Sequence, residues 1–121
     1  MFKDKPIVSR RKFPRKLFRR SMSYMTAGKA EVVDGVEIGE GGISFRSNAL
    51  IEFEQKLIIN FFLQDGDFFS VCATLRSSQE VVGYTIYGIS FDEVSLALKR
   101  QIRAYVARNS SDQTDRKITK N

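Results

Sequence analysis

The chain has 121 residues, an apolar fraction of 42% and a formal net charge of +6, which fits one domain with a modest core. It contains no histidine and a single cysteine, so imidazole acid–base chemistry, an internal disulfide and a structural zinc site are excluded. No apolar run approaches the roughly 18 residues of a membrane helix, and no secretory signal is recognisable. These features predict a folded protein of the cytoplasm with no membrane span.

The positive charge is concentrated at the N-terminus. Residues 1–20 hold nine Lys or Arg and one acid, which gives this segment +8, so the other 101 residues sum to −2. Seven of the eleven residues from Arg10 to Arg20 are basic. Pro14 disfavours a continuous helix here. The segment is therefore either a solvated basic tail or an arm whose guanidinium groups bind an anion such as phosphate.

The central part of the chain alternates between short apolar runs and turn signals. Such runs predict β-strands in a small antiparallel barrel or sandwich. Ala27-Gly28-Lys29, residues 64–67, residues 77–79 and Gly83 are the predicted turns, and Asp34-Gly35 is a predicted bulge or bend. Cys72 falls within a strand and is expected to be a small core residue. The predicted strands are 17–26, 30–38, 43–45, 56–63, 68–76 and 84–91.

The C-terminal part changes to a helical period. Val94, Leu98, Ile102, Tyr105 and Val106 share one helical face. Asp92 or Ser95 is the candidate N-cap and Asn109 the candidate end of the helix. Residues 110–121 are polar and charged, and are predicted to be a disordered tail. The predicted division is therefore a flexible basic leader at 1–9, a domain at 10–109 and this tail.

Two motifs of the chain belong together. The first is the Arg-x-x-x-Arg arm Arg11-Lys12-Phe13-Pro14-Arg15, and about 22 residues later comes the glycine-rich turn at residues 37–45 (Glu-Ile-Gly-Glu-Gly-Gly-Ile-Ser-Phe). Together they resemble the PilZ family of bacterial cyclic di-GMP receptors, whose first motif is such an arm. The resemblance covers residues 9–108. It implies a mainly β fold, a six-stranded antiparallel β-barrel with a C-terminal α-helix.

The second family motif, [Asp/Asn]-x-Ser-x-x-Gly, is degenerate in this chain. Glu37 stands at the Asp/Asn position, Gly39 at the Ser position and Gly42 at the final Gly. A shifted register that starts at Asp34 would put Val36 at the Ser position. Loss of one hydroxyl costs on the order of 1 kcal/mol, less than the charge-assisted contacts of the arginines provide. Alternatively, the glycines only shape a barrel turn.

The resemblance implies a receptor in which Arg11 and Arg15 hold the phosphates and guanine of cyclic di-GMP. Arg10 would add a contact, and Glu37, Gly39 and Gly42 would shape the barrel side of the site. No metal or cofactor is implied. Ligand binding would change the surface that a downstream protein partner contacts. The alternative is an adaptor that has lost the nucleotide and acts only through protein contacts.

Two further function classes are disfavoured. A nucleic-acid-binding barrel would use the basic arm and the aromatic residues, but the net charge of −2 on the remaining residues argues against a wide basic groove. No nucleophile–base pair, metal cluster or phosphate loop indicates an enzyme.

Overall fold

Seven strands and one helix make up the part of the chain that the structure describes. The computed structural model describes residues 14–63 and 67–120. The strands are β1 (Arg15–Leu17), β2 (Ser21–Thr26), β3 (Lys29–Gly39), β4 (Gly42–Ser47), β5 (Lys56–Phe62), β6 (Phe68–Val81) and β7 (Tyr84–Phe91), and the helix is α1 (Leu96–Lys120). The predicted basic leader, residues 1–9, lies outside the described residues.

Strands β2 to β7 form a closed antiparallel β-barrel. Around the ring the order is β2, β3, β4, β7, β6 and β5, and β5 pairs with β2 to complete the closure. Each barrel strand therefore has two hydrogen-bonded neighbours, which leaves no open sheet edge among these six. The prediction of a six-stranded antiparallel barrel followed by a helix is confirmed.

The prediction of one continuous strand over residues 17–26 is wrong in one respect, because the chain there forms two strands, β1 and β2, with a break between them. Phe18 lies in the break, and its fully buried ring enters the core. The Phe18 N–H donates to the Val36 carbonyl at 2.8 Å, and the Gly35 N–H donates to the Arg20 carbonyl at 2.8 Å. A Cβ on Gly35 would lie 2.6 Å from the Phe18 ring, so glycine is what allows the ring this close.

The predicted bulge beside Gly35 is confirmed, since the β3–β4 register shifts between Gly35 and Glu37. The turn predicted at 77–79 is wrong, because β6 continues to Val81 and only shifts register between Leu75 and Ser77. A bulge accommodates the polar run without ending the strand.

Two-residue connections join three of the hairpins. Ala27 and Gly28 link β2 to β3 with φ angles of 50° and 78°, as a tight hairpin turn requires. Gly83 has a φ of 95° in the turn between β6 and β7. The turn predicted at 64–67 falls mostly on 64–66, which lie outside the described residues; on either side of them Phe62 pairs with Phe68.

Inward-facing side chains of all six barrel strands form one core with the helix. Cys72 does not belong to it: the expectation of a core cysteine is wrong, because Val71 and Ala73 point inward and Cys72 is exposed between them. The fully buried large side chains are Phe18, Ile38, Phe45, Ile59, Phe61, Leu63, Leu75, Leu98 and Ile102.

Helix α1 packs against β1 and β3. The Ser95 hydroxyl accepts a hydrogen bond from the Leu98 N–H at 3.1 Å, so Ser95 is the N-cap, whereas Asp92 instead binds Thr74 and Lys56. Four of the five residues of the predicted apolar face are confirmed, with Leu98, Ile102, Tyr105 and Val106 buried. The placement of Val94 on the helix is wrong: it precedes Leu96 and is only partly buried against the core.

The helix extends beyond its predicted end at Asn109. Its backbone continues to Lys120, through residues expected to be a disordered tail. No Gly or Pro occurs between Leu96 and Lys120 to stop it. None of the helices in the described residues is both long enough and apolar enough to cross a bilayer.

Candidate functional site

The β3–β4 hairpin carries the three turn positions singled out from the sequence. Gly39 pairs with Gly42 across a two-residue turn, Glu40-Gly41. A Cβ on Gly42 would collide with the carbonyl oxygen of Ile89, so glycine at this position is what lets β4 lie so close to β7. The Glu37 N–H donates to the Ser44 hydroxyl at 3.1 Å, which fixes the strand just before the turn.

Strand β1 brings the basic arm to this hairpin. Arg15 pairs with Gly39 and Leu17 pairs with Glu37. A Cβ built on Gly39 would lie 2.8 Å from the Pro14 carbonyl oxygen and 3.1 Å from Cγ of Arg15. The missing side chain at position 39 therefore provides the space in which the start of β1 lies against β3.

A cleft of about 310 Å³ opens on the outer surface of the barrel at this point. Four of the predicted site residues line it: Arg15, Glu37, Gly39 and Gly42. Arg10 and Arg11, the other two predicted site residues, lie outside the described residues. The other residues that line the cleft are Gly41, Ile43, Ser44, Arg76, Ser77, Gly88, Ile89 and Ser90.

The far wall of the cleft consists of residues that the sequence motifs did not identify. Arg76 lies there, and its Nε donates to the Ser90 hydroxyl at 3.1 Å, while its Nη1 lies 3.8 Å from a carboxylate oxygen of Glu54. The floor includes Gly88, where a Cβ would lie 2.5 Å from the Ser77 hydroxyl oxygen. A glycine inside a strand can mark such a close approach, so Gly88 is the sequence signal that could have indicated this part of the cleft.

The turn is tied to the helix by a bidentate ion pair. The Arg103 guanidinium donates to both carboxylate oxygens of Glu40, from Nε at 2.9 Å and from Nη2 at 3.0 Å. These hydrogen bonds lower the pKa of Glu40 although burial works against them, and they raise the pKa of Arg103. The Tyr105 hydroxyl donates to the Leu17 carbonyl at 3.3 Å, so α1 contacts both the turn and β1.

The composition of the cleft suits binding of an anionic ligand. Two arginines, Arg15 and Arg76, line it together with Ser44, Ser77 and Ser90, and Glu37 is its one acidic residue. Guanidinium and hydroxyl groups are the usual partners of phosphate oxygens, and a carboxylate can accept from a base N–H. Within the described ranges, no group of three or more acidic or cysteine side chains could hold a metal ion.

The PilZ domain family matches residues 9–108 of the chain. The chain belongs to the PilZ family. No curated protein sequence matches it.

Solved structures with the same fold include the Bacillus subtilis inhibitor of motility MotI/DgrA, with a TM-score of 0.78 at 13% identity over 85% of this chain and 52% of that one. YcgR from Escherichia coli in complex with c-di-GMP gives a TM-score of 0.74 at 14% identity, over 93% of this chain and 51% of that one. The isolated PilZ domain of the same YcgR, also with c-di-GMP, gives 0.67 at 15% identity, over 88% and 98%. This PilZ domain spans about half the length of MotI and full-length YcgR.

Proposed function

We propose that this PilZ domain is a receptor for cyclic di-GMP, with no catalytic activity of its own. The observation that carries the proposal is the β1 register, which pairs Arg15 with Gly39 and puts the second arginine of the arm into one cleft with Glu37 and Gly42. The family match over residues 9–108 and the YcgR complexes with c-di-GMP support the choice of ligand.

The ligand extends beyond the cleft in this proposal. A volume of about 310 Å³ is at the small end of ligand pockets, which run from about 300 to 1,000 Å³. One guanine and its phosphate fill the cleft between Arg15 and Arg76. Arg11 and Arg10 cover the remainder from the N-terminal side, as charged groups that neutralise the second phosphate.

In this proposal, ligand binding also changes the surface formed by helix α1, which other proteins contact. Binding that pulls on β1 or on the Glu40 turn is transmitted to α1 through the Tyr105–Leu17 hydrogen bond and the Glu40–Arg103 ion pair. A ligand shifts such an element only to the extent that it binds one position better than the other. The proposed output is a change in the position of α1, and a downstream protein partner reads it.

A test of the receptor proposal is calorimetric titration of cyclic di-GMP into the wild-type chain and into Arg15→Ala. Loss of a charge-assisted contact worth roughly 1.5–3 kcal/mol should weaken binding at least tenfold. The matched control is Arg20→Ala, which removes the same charge from the same basic run but does not line the cleft. Equal affinities for wild type and Arg15→Ala would show that the site is elsewhere, and no binding by the wild type would reject the receptor.

The second candidate function is an adaptor that acts only through protein contacts. The structure of the turn favours it in one respect, because the Pro14 carbonyl and the Arg15 side chain occupy the space beside Gly39 where the family has a serine. A wild-type chain that shows no heat and no thermal shift with cyclic di-GMP would select this function.

A further inference from the structure

Arg76 reaches the candidate cleft because it is the extra residue of a β-bulge. Leu75 pairs with Ile89 and Ser77 pairs with Gly88, so the register of β6 with β7 skips Arg76. A bulge bends its strand and redirects the side chain of the extra residue. Arg76 thereby lines the cleft, and 53% of its side chain is exposed.

The Arg76 guanidinium contacts two side chains through different nitrogens. Its Nε donates to the hydroxyl of Ser90, which also lines the cleft, at 3.1 Å. Its Nη1 lies 3.8 Å from a carboxylate oxygen of Glu54, which stands outside the set of residues that line the cleft. A distance of 3.8 Å is too long for a hydrogen bond, so this contact is a loose ion pair that another anion can replace.

The position of Glu54 is fixed by the backbone rather than by its carboxylate. In the loop between β4 and β5, the Glu54 N–H donates to the Leu75 carbonyl at 2.9 Å, and the Leu75 N–H donates to the Gln55 carbonyl at 3.0 Å. The Gln55 side chain donates to the Thr26 hydroxyl at 2.8 Å. The loop therefore holds Glu54 beside the bulge whether or not its carboxylate touches Arg76.

Glu54 also has an unusual backbone conformation. Its φ is 67°, and Ala27 is the only other non-glycine residue with a positive φ in the described part of the chain. The Gln55 N–H donates to the Glu52 carbonyl at 3.0 Å, so Glu54 is the third residue of a four-residue turn, where glycine or asparagine is usual when φ is positive. Residues held in this way cluster at ligand sites and switches. The carboxylate therefore matters through its contact with Arg76, and not through the turn.

Glu54 changes the charge at the candidate cleft. Of the described residues, two basic ones, Arg15 and Arg76, and one acidic one, Glu37, line the cleft. These side chains sum to one positive charge, and the Glu54 carboxylate beside Arg76 cancels it. Each phosphate of cyclic di-GMP is negatively charged, so an acid at this place opposes binding of the ligand.

We propose that Glu54 competes with a phosphate of the ligand for Arg76 and so lowers the affinity of the cleft. The inference rests on the proposed function, because the competing anion is the phosphate of cyclic di-GMP. Phosphate binds a guanidinium most strongly through two parallel N–H groups. The end of the Arg76 fork includes Nη1, which faces Glu54, so bidentate binding at this end displaces the carboxylate.

Ser90 has the opposite role to Glu54. Its hydroxyl accepts from Nε, which is not at the end of the fork, so this hydrogen bond holds Arg76 in the cleft both before and after the carboxylate is displaced. Ser90 is therefore a positioning residue for Arg76, whereas Glu54 is a competitor. Removal of the two side-chain groups should change ligand affinity in opposite directions.

The size of the effect follows from the exposure of the pair. An exposed ion pair is worth at most about 1 kcal/mol, which corresponds to about a fivefold change in an equilibrium constant. A chain without the Glu54 carboxylate should therefore respond at ligand concentrations about two- to fivefold lower than the wild type.

The test is calorimetric titration of cyclic di-GMP into the full wild-type chain and into Glu54→Gln. Glutamine keeps the size of the side chain and removes its charge, so the dissociation constant should fall about two- to fivefold. The matched control is Glu52→Gln, which removes the same charge from an exposed residue of the same loop and should leave the affinity nearly unchanged. Ser90→Ala should weaken binding, because Arg76 loses the hydrogen bond that positions it.

The route through Arg76 is tested by repeating the substitution in an Arg76→Ala background. Competition predicts that Glu54→Gln then gives no gain, because no guanidinium is left to compete for. A gain of the same size in both backgrounds, or the same gain from Glu52→Gln, would indicate a general effect of charge and would overturn the inference.

Failure of this inference differs from failure of the receptor proposal. Wild-type binding that Glu54→Gln leaves unchanged or weakens overturns the inference and leaves the receptor standing, provided that circular dichroism shows the variant folded. The Glu54 side chain is 63% exposed, so this variant should fold. Binding by Glu54→Gln but not by the wild type rejects the receptor and supports the inference, because the cleft then binds once its competitor is removed. No binding by either chain rejects both.

Discussion

Gly39 decides whether the candidate site can hold a serine at this position, as the family motif has, or only a glycine. Its φ is not in the left-handed region, which only Gly28 and Gly83 of the described glycines occupy, so the backbone itself would accept serine. The space would not, because a Cβ would lie 2.8 Å from the Pro14 carbonyl oxygen. Glycine at position 39 therefore allows the close approach of β1, and no unusual backbone conformation requires it.

We expect Gly39→Ser to lower the melting temperature and to leave cyclic di-GMP affinity unimproved. Overpacking against a backbone oxygen costs typically 1–3 kcal/mol, and the displaced β1 would carry Arg15 out of the cleft. Gly39→Ala is the matched control, since it adds the same Cβ without a hydroxyl and should destabilise the chain to a similar extent. Severalfold tighter binding by the serine variant with an unchanged melt would contradict this account.

At the scale of elements, the sequence predicts the strands that alternate clearly and misses the irregular ones. Strand β7 occurs as predicted, because Tyr84–Phe91 alternates without a break. The break at Phe18 was not predictable, since it depends on Gly35, which is seventeen positions away and in contact only after folding. Continuation of β6 past Arg76 depends in the same way on pairing with β7 across a bulge.

The residues of the candidate site also fall into two groups: some belong to sequence motifs, and others are brought in only by strand pairing. Motif positions Arg15, Glu37, Gly39 and Gly42 line one cleft, and their role in ligand binding stays a prediction. Arg76 and Ser77 belong to no motif, and the bulge between Leu75 and Ser77 sets which way they point. The sequence therefore locates the half of the site next to the glycine turn, and pairing across the barrel supplies the other half.

The ion pair between Glu40 and Arg103 predicts an acid-sensitive link between two elements. The folded-state pKa of Glu40 is lowered, first by the hydrogen bonds from Arg103. Stability from this pair is therefore complete above the ordinary glutamate pKa of about 4.3 and is lost as the pH falls through the lowered folded value. Glu40→Gln should lower the melting temperature at pH 7, and the difference from wild type should shrink as the pH falls below about 4.

A control for this pH effect is Glu54→Gln. Glu54 is 63% exposed and its oxygen is 3.8 Å from Arg76, so an exposed pair of this kind contributes little. The pKa of Asp92 is also lowered, chiefly by the Thr74 hydroxyl, but this acid response is common to all three proteins and cancels in the comparison. A difference between Glu40→Gln and wild type that stays constant down to acid pH would show that the carboxylate charge is not responsible.

At the scale of the whole molecule, barrel and helix share one core. Leu98, Ile102, Tyr105 and Val106 belong to the same buried cluster as the inward residues of β2 to β7. The Tyr105 ring meets the Phe18 ring edge-on at 6.1 Å, and Phe18 in turn meets Phe61 at 5.9 Å. The helix is thus continuous with the barrel through aromatic contacts, and the two should unfold in one cooperative transition.

Ile102→Ala tests this continuity. Ile102 is fully buried, and truncation of such a side chain lowers the free energy of unfolding by about 2–5 kcal/mol. If the core is shared, the helical signal at 222 nm and the near-ultraviolet signal of the barrel aromatics should shift together to a lower melting temperature. Leu96→Ala, on the same helix but 62% exposed, should leave both nearly unchanged. Loss of the helical signal alone, with the barrel transition at its wild-type temperature, would mean that α1 is a separate unit, and the route proposed from the cleft to the helix would then have no rigid connection.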